Sequence, residues 1–137
     1  MRQYRTVVAI ADRLARTGRG VIGSLPFTAE LRLVALDSEA GRGAEALQAL
    51  DRLLLSARKE SARLANDPHT RDFALEARSS LPRVMAAYSA VHARLGHRED
   101  ARQWREQALA EWKKFSSLPG FSPDMRRELQ ALEAARP

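Results

Sequence analysis

Three histidines, His69, His92 and His97, are the side chains of this sequence that titrate near neutral pH without perturbation. His92 and His97 stand five residues apart across a predicted helix end, which is a poor spacing for two ligands of one metal ion, and the sequence has no HExxH motif. Glu99 and Asp100 follow at a predicted helix start, where carboxylates favour the positive end of the helix dipole. These residues are therefore interpreted as surface or turn side chains, and no metal site is predicted.

Other residue types that carry catalysis lack the sequence context that catalysis needs. Cysteine is absent, which excludes disulfides, thiolate metal sites and cysteine nucleophiles. The serines lack the GxSxG context of an esterase, and the glycine-rich stretch 18–23 lacks the GK[ST] ending of a phosphate-binding loop. We therefore expect neither an enzyme nor a cofactor.

The length of 137 residues suits one domain, residues 1–137, with a core of its own. Charged residues interrupt the apolar ones throughout, and no apolar stretch approaches the roughly 20 residues that cross a bilayer. No secretory signal is recognisable. We expect a cytoplasmic protein that does not contact membranes.

The charge balance is basic, with 23 lysines and arginines against 17 acids and a net charge of +6. Only three of the 23 are lysines, so 20 (23 − 3) are arginines, and they are scattered among acids rather than grouped in a block. This pattern is interpreted mainly as arginine on solvated helix faces. A basic helical nucleic-acid-binding protein remains the alternative.

The elements that position these residues are predicted to be helices. Alanine, leucine and arginine dominate and strand-like alternation is absent, which predicts an all-α fold of five or six helices. The predicted helices run over 3–17, from Thr28 to before Gly41, over 44–65, from Thr70 or Asp72 to Gly96, over 99–116 and over 122–135.

Capping residues and one proline mark the predicted helix boundaries. Thr28 is a candidate N-cap, and the run Ser122-Pro123-Asp124 is typical of an N-cap, a first-turn proline and an acid that suits the helix dipole. Pro82 would remove a hydrogen bond inside a continuous helix, so we expect a kink or short break near Ser79-Ser80.

Two segments of the chain resemble each other. The tripeptide Ser24-Leu25-Pro26 recurs later in the chain as Ser80-Leu81-Pro82. The predicted turn glycines, Gly41 and Gly96, are separated by nearly the same length of chain as the two tripeptides, and each is followed five positions later by alanine. The sequence therefore predicts two related helical hairpins.

The later segment, with Ala87-Tyr88, Leu95-Gly96, Ala101 and Ala108-Leu109, resembles the tetratricopeptide repeat. In that family small residues let two antiparallel helices pack closely, and a glycine permits the turn between them. The resemblance implies hairpins stacked as a short right-handed solenoid. The implied units are a best repeat at 70–116, a weaker repeat at 28–65, an N-terminal helix at 3–17 and a capping helix at 122–135. The residues implied to pack the repeats are Gly41, Ala46, Tyr88, Gly96, Ala101, Trp104 and Ala108.

The sequence departs from the family pattern in three respects. The proline that usually ends the second helix is missing after Leu109. The separation of Gly41 from Gly96 exceeds the family's usual period of about 34 residues. Arg105, beside Trp104, takes the position of the usual aromatic residue. Long helices of this kind are similar to the C-terminal repeat regions of bacterial serine/threonine kinases. The chain has no kinase motifs, so this likeness implies a detached regulatory piece of a signalling protein.

A tetratricopeptide-like domain implies a non-catalytic adaptor that binds a protein or peptide in the groove formed by the first helix of each hairpin. Arginines beside small residues could bind an acidic peptide or a C-terminal carboxylate. The expected partner groove consists of Arg83, Ala86, Ala90, Ala93 and Arg94. The alternative for both arginines is that they are simply solvated. A homodimer is a further expected partner arrangement.

Overall fold

The computed structural model describes residues 26–67 and 75–135. All regular secondary structure in these two ranges is helical, as predicted. The helices are α1 (Phe27–Glu39), α2 (Gly43–Asn66), α3 (Leu75–Arg78), α4 (Ser80–Arg94), α5 (Arg98–Phe115) and α6 (Pro123–Ala134). The predicted helix at 3–17, together with His69, Thr70 and Asp72, lies outside the described residues.

Both predicted glycine turns have the same backbone geometry. Gly41 follows α1 with φ of 82° and Gly96 follows α4 with φ of 81°, a conformation that glycine adopts without steric strain. After α4, the amide of His97 donates to the carbonyl of His92 at 2.8 Å, and the amide of Gly96 donates to that of Ala93 at 3.1 Å. These two bonds define a Schellman motif, which reverses the chain within a few residues.

The turn after α1 has this motif at the equivalent place in the first hairpin. The amide of Arg42 donates to the carbonyl of Asp37 at 2.8 Å, and the amide of Gly41 donates to that of Ser38 at 3.2 Å. Each turn thus places the residue after the glycine beside a residue in the last turn of the preceding helix. The two segments that resemble each other in sequence therefore share this turn geometry.

Helices α4 and α5 form an antiparallel hairpin. Tyr88 stacks on Trp104 with ring centroids 4.2 Å apart. One residue further along α4, the buried hydroxyl of Ser89 donates to the carbonyl of Ala101 at 2.7 Å. Later residues of α4 therefore contact earlier residues of α5, which is the antiparallel arrangement. Ala101 is fully buried, which lets the two helices approach closely.

The predicted break before Pro82 is confirmed. Helix α3 ends at Arg78 and α4 begins at Ser80, with Ser79 between them. The Ser79 hydroxyl donates to the carbonyl of Glu76 at 2.7 Å. Pro82 is the third residue of α4, a position at which a backbone amide has no acceptor within its own helix. The proline therefore removes no hydrogen bond from α4.

The two predicted N-caps have different outcomes. Ser122 caps α6, since its hydroxyl accepts from the amide of Met125 at 3.1 Å, as predicted. The expectation that Thr28 caps α1 is wrong. The N-cap residue is Pro26, two residues earlier, because the carbonyl of Pro26 accepts from the amides of Ala29 and Glu30 at 2.9 and 3.3 Å.

The core has two parts. The first fills the space between α1, α2, α4 and α5, and its buried members include Val34, Ala46, Leu50, Leu53, Val84, Tyr88 and Ala108. The second lies between α3, α5 and α6 and is formed by Leu75, Trp112, Phe115, Met125 and Leu129. Helix α5 contributes to both parts and so connects the hairpins to the C-terminal helix.

Candidate functional site

The first helices of the two hairpins, α1 and α4, lie in contact with each other. The expected groove residues are on α4, where Ala86 is half-buried and Ala90, Ala93 and Arg94 are exposed. The structure divides these residues between two neighbouring cavities rather than placing them in one. Ala93 lines neither of the two.

One cavity, of about 170 Å³, lies between α1 and α4. Its lining is mostly apolar and consists of Leu31, Val34, Ala35, Ser38, Glu39, Ala87, Ala90, Val91 and Arg94. The side chain of Arg94 is exposed and forms no hydrogen bond or ion pair with the residues that the structure describes. Its guanidinium group is therefore available to a ligand.

The other cavity, of about 340 Å³, continues from Leu31 toward α6. Arg83 and Ala86 line it together with Trp112, Glu128, Ala131, Leu132 and Ala135. Leu31 belongs to both linings, so the two cavities adjoin at this residue. We call the two adjoining cavities together the α1/α4 groove.

Arg83 is bound inside the protein. Its guanidinium nitrogens donate to both carboxylate oxygens of Glu128 at 2.8 to 3.1 Å and to Glu76 at 2.9 Å. The same group lies 5.8 Å from the ring centre of Trp112. Burial lowers the pKa of Arg83, but the hydrogen bonds to the two carboxylates outweigh burial and raise it overall. The donors that we expected to bind a partner's carboxylate are therefore already used.

A larger cleft, of about 650 Å³, lies on the other side of Arg83. Glutamates are prominent in its lining, which consists of Phe27, Thr28, Glu30, Leu53, Ser56, Ala57, Glu60, Glu76, Ala77, Ser80 and Arg83. No pattern in the sequence indicated this cleft. Its walls come from four helices, and helical periodicity does not indicate which helices become neighbours.

The residues expected to pack the repeats lie in the interior or at the turns. Ala46, Ala101 and Ala108 are fully buried. Tyr88 is also buried, and its hydroxyl donates a short hydrogen bond to the carboxylate of Asp51 on α2. Burial, followed by this hydrogen bond, raises the pKa of Tyr88 above its ordinary value. Tyr88 therefore connects α4 to α2 through its hydroxyl and to α5 through its ring.

The turn between α4 and α5 brings together three side chains that can ligate a metal ion. The Nδ1 atoms of His92 and His97 lie 3.0 Å apart. Prospective ligand atoms of the two histidines and of Asp100 all lie within 4.8 Å of one another. His97 is the N-cap residue of α5, and Asp100 is in the first turn of that helix. We call these three residues the His–His–Asp cluster.

This arrangement corrects the sequence argument that a five-residue spacing is poor for sharing one ion. Five residues separate the two histidines along the chain, but the Schellman turn at the helix end places His97 beside His92. The turn after α1 offered a sequence signal for this contact. Its equivalent positions hold Asp37 and Arg42, which form an ion pair at 3.0 Å. Ion-pairing residues at those positions indicate that the two side chains meet.

His92 stacks on Tyr88, and burial and neighbouring charges shift its pKa. The ring of His92 stacks on that of Tyr88 with centroids 6.2 Å apart. Burial lowers the pKa of His92, and the charge of His97 lowers it further, while the carboxylate of Asp100 acts in the opposite direction. The net effect lowers the pKa and favours the neutral imidazole, which is the form that binds metals.

The positive charge is distributed unevenly along the sequence. Residues 1–20 carry +4 (five arginines and one aspartate), so residues 21–137 carry +2 (18 basic and 16 acidic residues). In the described part, many basic side chains pair locally with acids, as Arg63 does with Glu60 and Arg102 does with Glu99 and Glu106. These acids therefore offset part of the positive charge that their partner side chains could offer to a phosphate.

No helix in the described ranges is both long enough and apolar enough to span a bilayer. Known protein families, curated proteins and solved structures give no match to this chain.

Proposed function

We propose that this chain is a non-catalytic protein-interaction module, in which tetratricopeptide-like hairpins bind an acidic segment of a partner protein in the α1/α4 groove. The observation that carries the proposal is the contact between α1 and α4, the first helix of each hairpin. First helices that lie side by side are what the resemblance implies for a groove that binds a peptide. The likeness to kinase repeat regions would make this module a regulatory piece of a signalling protein.

The side chains of the groove support a short acidic ligand. Small residues on α4, such as Ala87 and Ala90, leave space above an apolar floor that includes Leu31 and Val34. Arg94 is an exposed lining residue whose guanidinium has no partner in the part of the chain that the structure describes, and its donors match the two oxygens of a carboxylate. Because Arg83 is bound to Glu128, we assign the recognition of an acidic group to Arg94 rather than to both arginines.

The proposal is tested by measuring the binding of labelled acidic peptides, with either a free or an amidated C-terminus, by fluorescence anisotropy. Ala90→Glu and Arg94→Glu each place a negative charge in the groove. We expect both to weaken binding by about tenfold or more, because like charges repel across an interface.

Matched controls carry the same changes outside the groove lining, namely Ala62→Glu and Arg52→Glu on exposed positions of α2. We expect both controls to bind like the wild type. If the controls weaken binding as much as the groove variants, net charge rather than the groove governs binding, and the proposal fails. Absence of binding by any acidic peptide would also contradict it.

Nucleic-acid binding is the second candidate, and the charge of +4 in residues 1–20 favours it. A variant with the five arginines of that segment replaced by glutamine separates the two functions. If nucleic acid is the partner, this variant loses retention on DNA or RNA, and the affinity of the wild type falls steeply between about 50 and 200 mM salt. If the α1/α4 groove is the functional site, the same variant keeps its peptide affinity.

A further inference from the structure

We infer that the His–His–Asp cluster, formed by His92, His97 and Asp100, binds a divalent transition-metal ion, with Zn²⁺ as the ion to test. The inference rests on side chains that the α1/α4 groove does not use, so it is independent of the proposed protein partner. It begins from the distance of 3.0 Å between the two Nδ1 atoms.

That distance is close to what one shared ion requires. Zinc binds imidazole nitrogen at about 2.0–2.1 Å, so two nitrogens of a tetrahedral site lie about 3.3 Å apart. A small rotation of either ring therefore separates the nitrogens enough to admit the ion. A carboxylate oxygen of Asp100 lies within 4.8 Å of the ligand atoms of both histidines, which makes Asp100 the third candidate ligand.

The donor set matches the chemistry of zinc and its neighbours in the first transition series. Neutral imidazole is a preferred ligand of Zn²⁺, Ni²⁺ and Cu²⁺, and a carboxylate oxygen is a common third ligand. The negative charge of Asp100 offsets part of the ion's charge at the start of α5, where the helix dipole is positive. Three protein ligands leave at least one coordination position for water or another donor.

The equivalent positions of the first hairpin show what is unusual about the second. Asp37 and Arg42 satisfy each other as an ion pair. His92 and His97 instead direct two nitrogens of the same type toward each other. They can be satisfied by a proton on one ring, which then donates to the other, or by a metal ion between them. Metal titration distinguishes these two arrangements.

The experiment is calorimetric titration of the full chain with ZnCl₂ after removal of bound metal with EDTA. We expect one ion to bind per chain. His97→Asn removes one imidazole while keeping a good N-cap residue for α5, and Asp100→Asn removes the carboxylate. Each is expected to weaken zinc binding by about tenfold or more.

Two controls match these changes in residue type. His69→Gln removes the remaining histidine of the sequence. Glu99→Gln neutralises the carboxylate of Glu99, which is adjacent to Asp100 in the sequence and pairs with Arg102. Both are expected to bind zinc like the wild type. A loss in His69→Gln equal to that in His97→Asn would indicate general surface chelation and overturn the inference, as would the absence of saturable binding by the wild type.

A double variant, His92→Asp with His97→Arg, separates loss of the metal site from loss of the fold. It copies into the second turn the pair that the first turn already holds at equivalent positions. We expect the variant to keep the helical circular dichroism and thermal midpoint of the metal-free wild type and to lose the increase in midpoint that Zn²⁺ gives the wild type. An equal zinc-induced increase in both proteins would place the site elsewhere and overturn the inference.

Discussion

Arg83 provides the sharpest test of the structure, because the sequence interpretation and the structure give it opposite roles. As a groove residue it would be free, and its loss would leave stability unchanged. In the structure its side chain is only 14% exposed and joins α4 to Glu76 on α3 and to Glu128 on α6. Arg83→Met, which keeps an apolar stem and removes the charge, should therefore destabilise the fold.

The expected loss of folding stability in Arg83→Met follows from the exposure of each glutamate partner. Hydrogen bonds to charged groups contribute about 1.5–3 kcal/mol when protected, and exposed ion pairs contribute about 0.2–1 kcal/mol. Glu128 is 43% exposed and Glu76 is 76% exposed, so we assign about 1.5 and about 0.5 kcal/mol to the two pairs. Their sum of about 2 kcal/mol lowers the thermal midpoint of a 137-residue chain by about 7 °C.

The assay is urea denaturation of Arg83→Met, Glu128→Gln and the double variant. The double-mutant cycle should give a coupling free energy of about 1.5 kcal/mol between the two residues, the value assigned to their pair. Arg94→Met is the control, because Arg94 is exposed and has no partner among the described residues, and its stability should stay within about 0.5 kcal/mol of the wild type. A coupling of zero, or equal losses in the Arg83 and Arg94 variants, would refute the internal role of Arg83.

The remaining predictions concern the turn and the interior. A Cβ atom at Gly96 meets no atom within 4 Å, so Gly96→Ala should lose about 1 kcal/mol of stability through backbone strain alone, and Gly96→Asn should lose less in the same urea titration. Burial and the hydrogen bond to Asp51 raise the pKa of Tyr88. The stability from its neutral hydroxyl is therefore fully present below the unfolded pKa of about 10 and is lost as pH rises above it. Tyr88→Phe should flatten that alkaline loss, as measured by denaturation between about pH 8 and 11.

Local signals predicted the helical elements well. Pro82 indicated the break at Ser79, and Ser122 indicated the start of α6, because both effects depend on neighbouring backbone groups alone. The prediction that Thr28 is the N-cap was wrong for an equally local reason. The carbonyl of Pro26 accepts the first amide bonds of α1, so the helix begins before Thr28 can act as its cap.

Tertiary contacts were less accessible from the sequence. Helical periodicity placed Trp104 and Trp112 on one side of one helix but did not show that they enter different parts of the core. In the structure Trp104 stacks on Tyr88, whereas Trp112 packs with Met125 of α6. Arg83 was missed in the same way, since its partner Glu128 is distant in sequence. No local pattern specifies such a pair.

The α1/α4 groove and the His–His–Asp cluster share one end of α4 but lie on different sides of it. Successive residues of a helix are rotated by about 100°, so Arg94 and His92, two positions apart, point in nearly opposite directions. Arg94 lines the cavity against α1, while His92 meets His97 at the start of α5. A substitution at one site therefore leaves the ligands of the other in place, so peptide binding and metal binding can be tested as independent properties of the same helix.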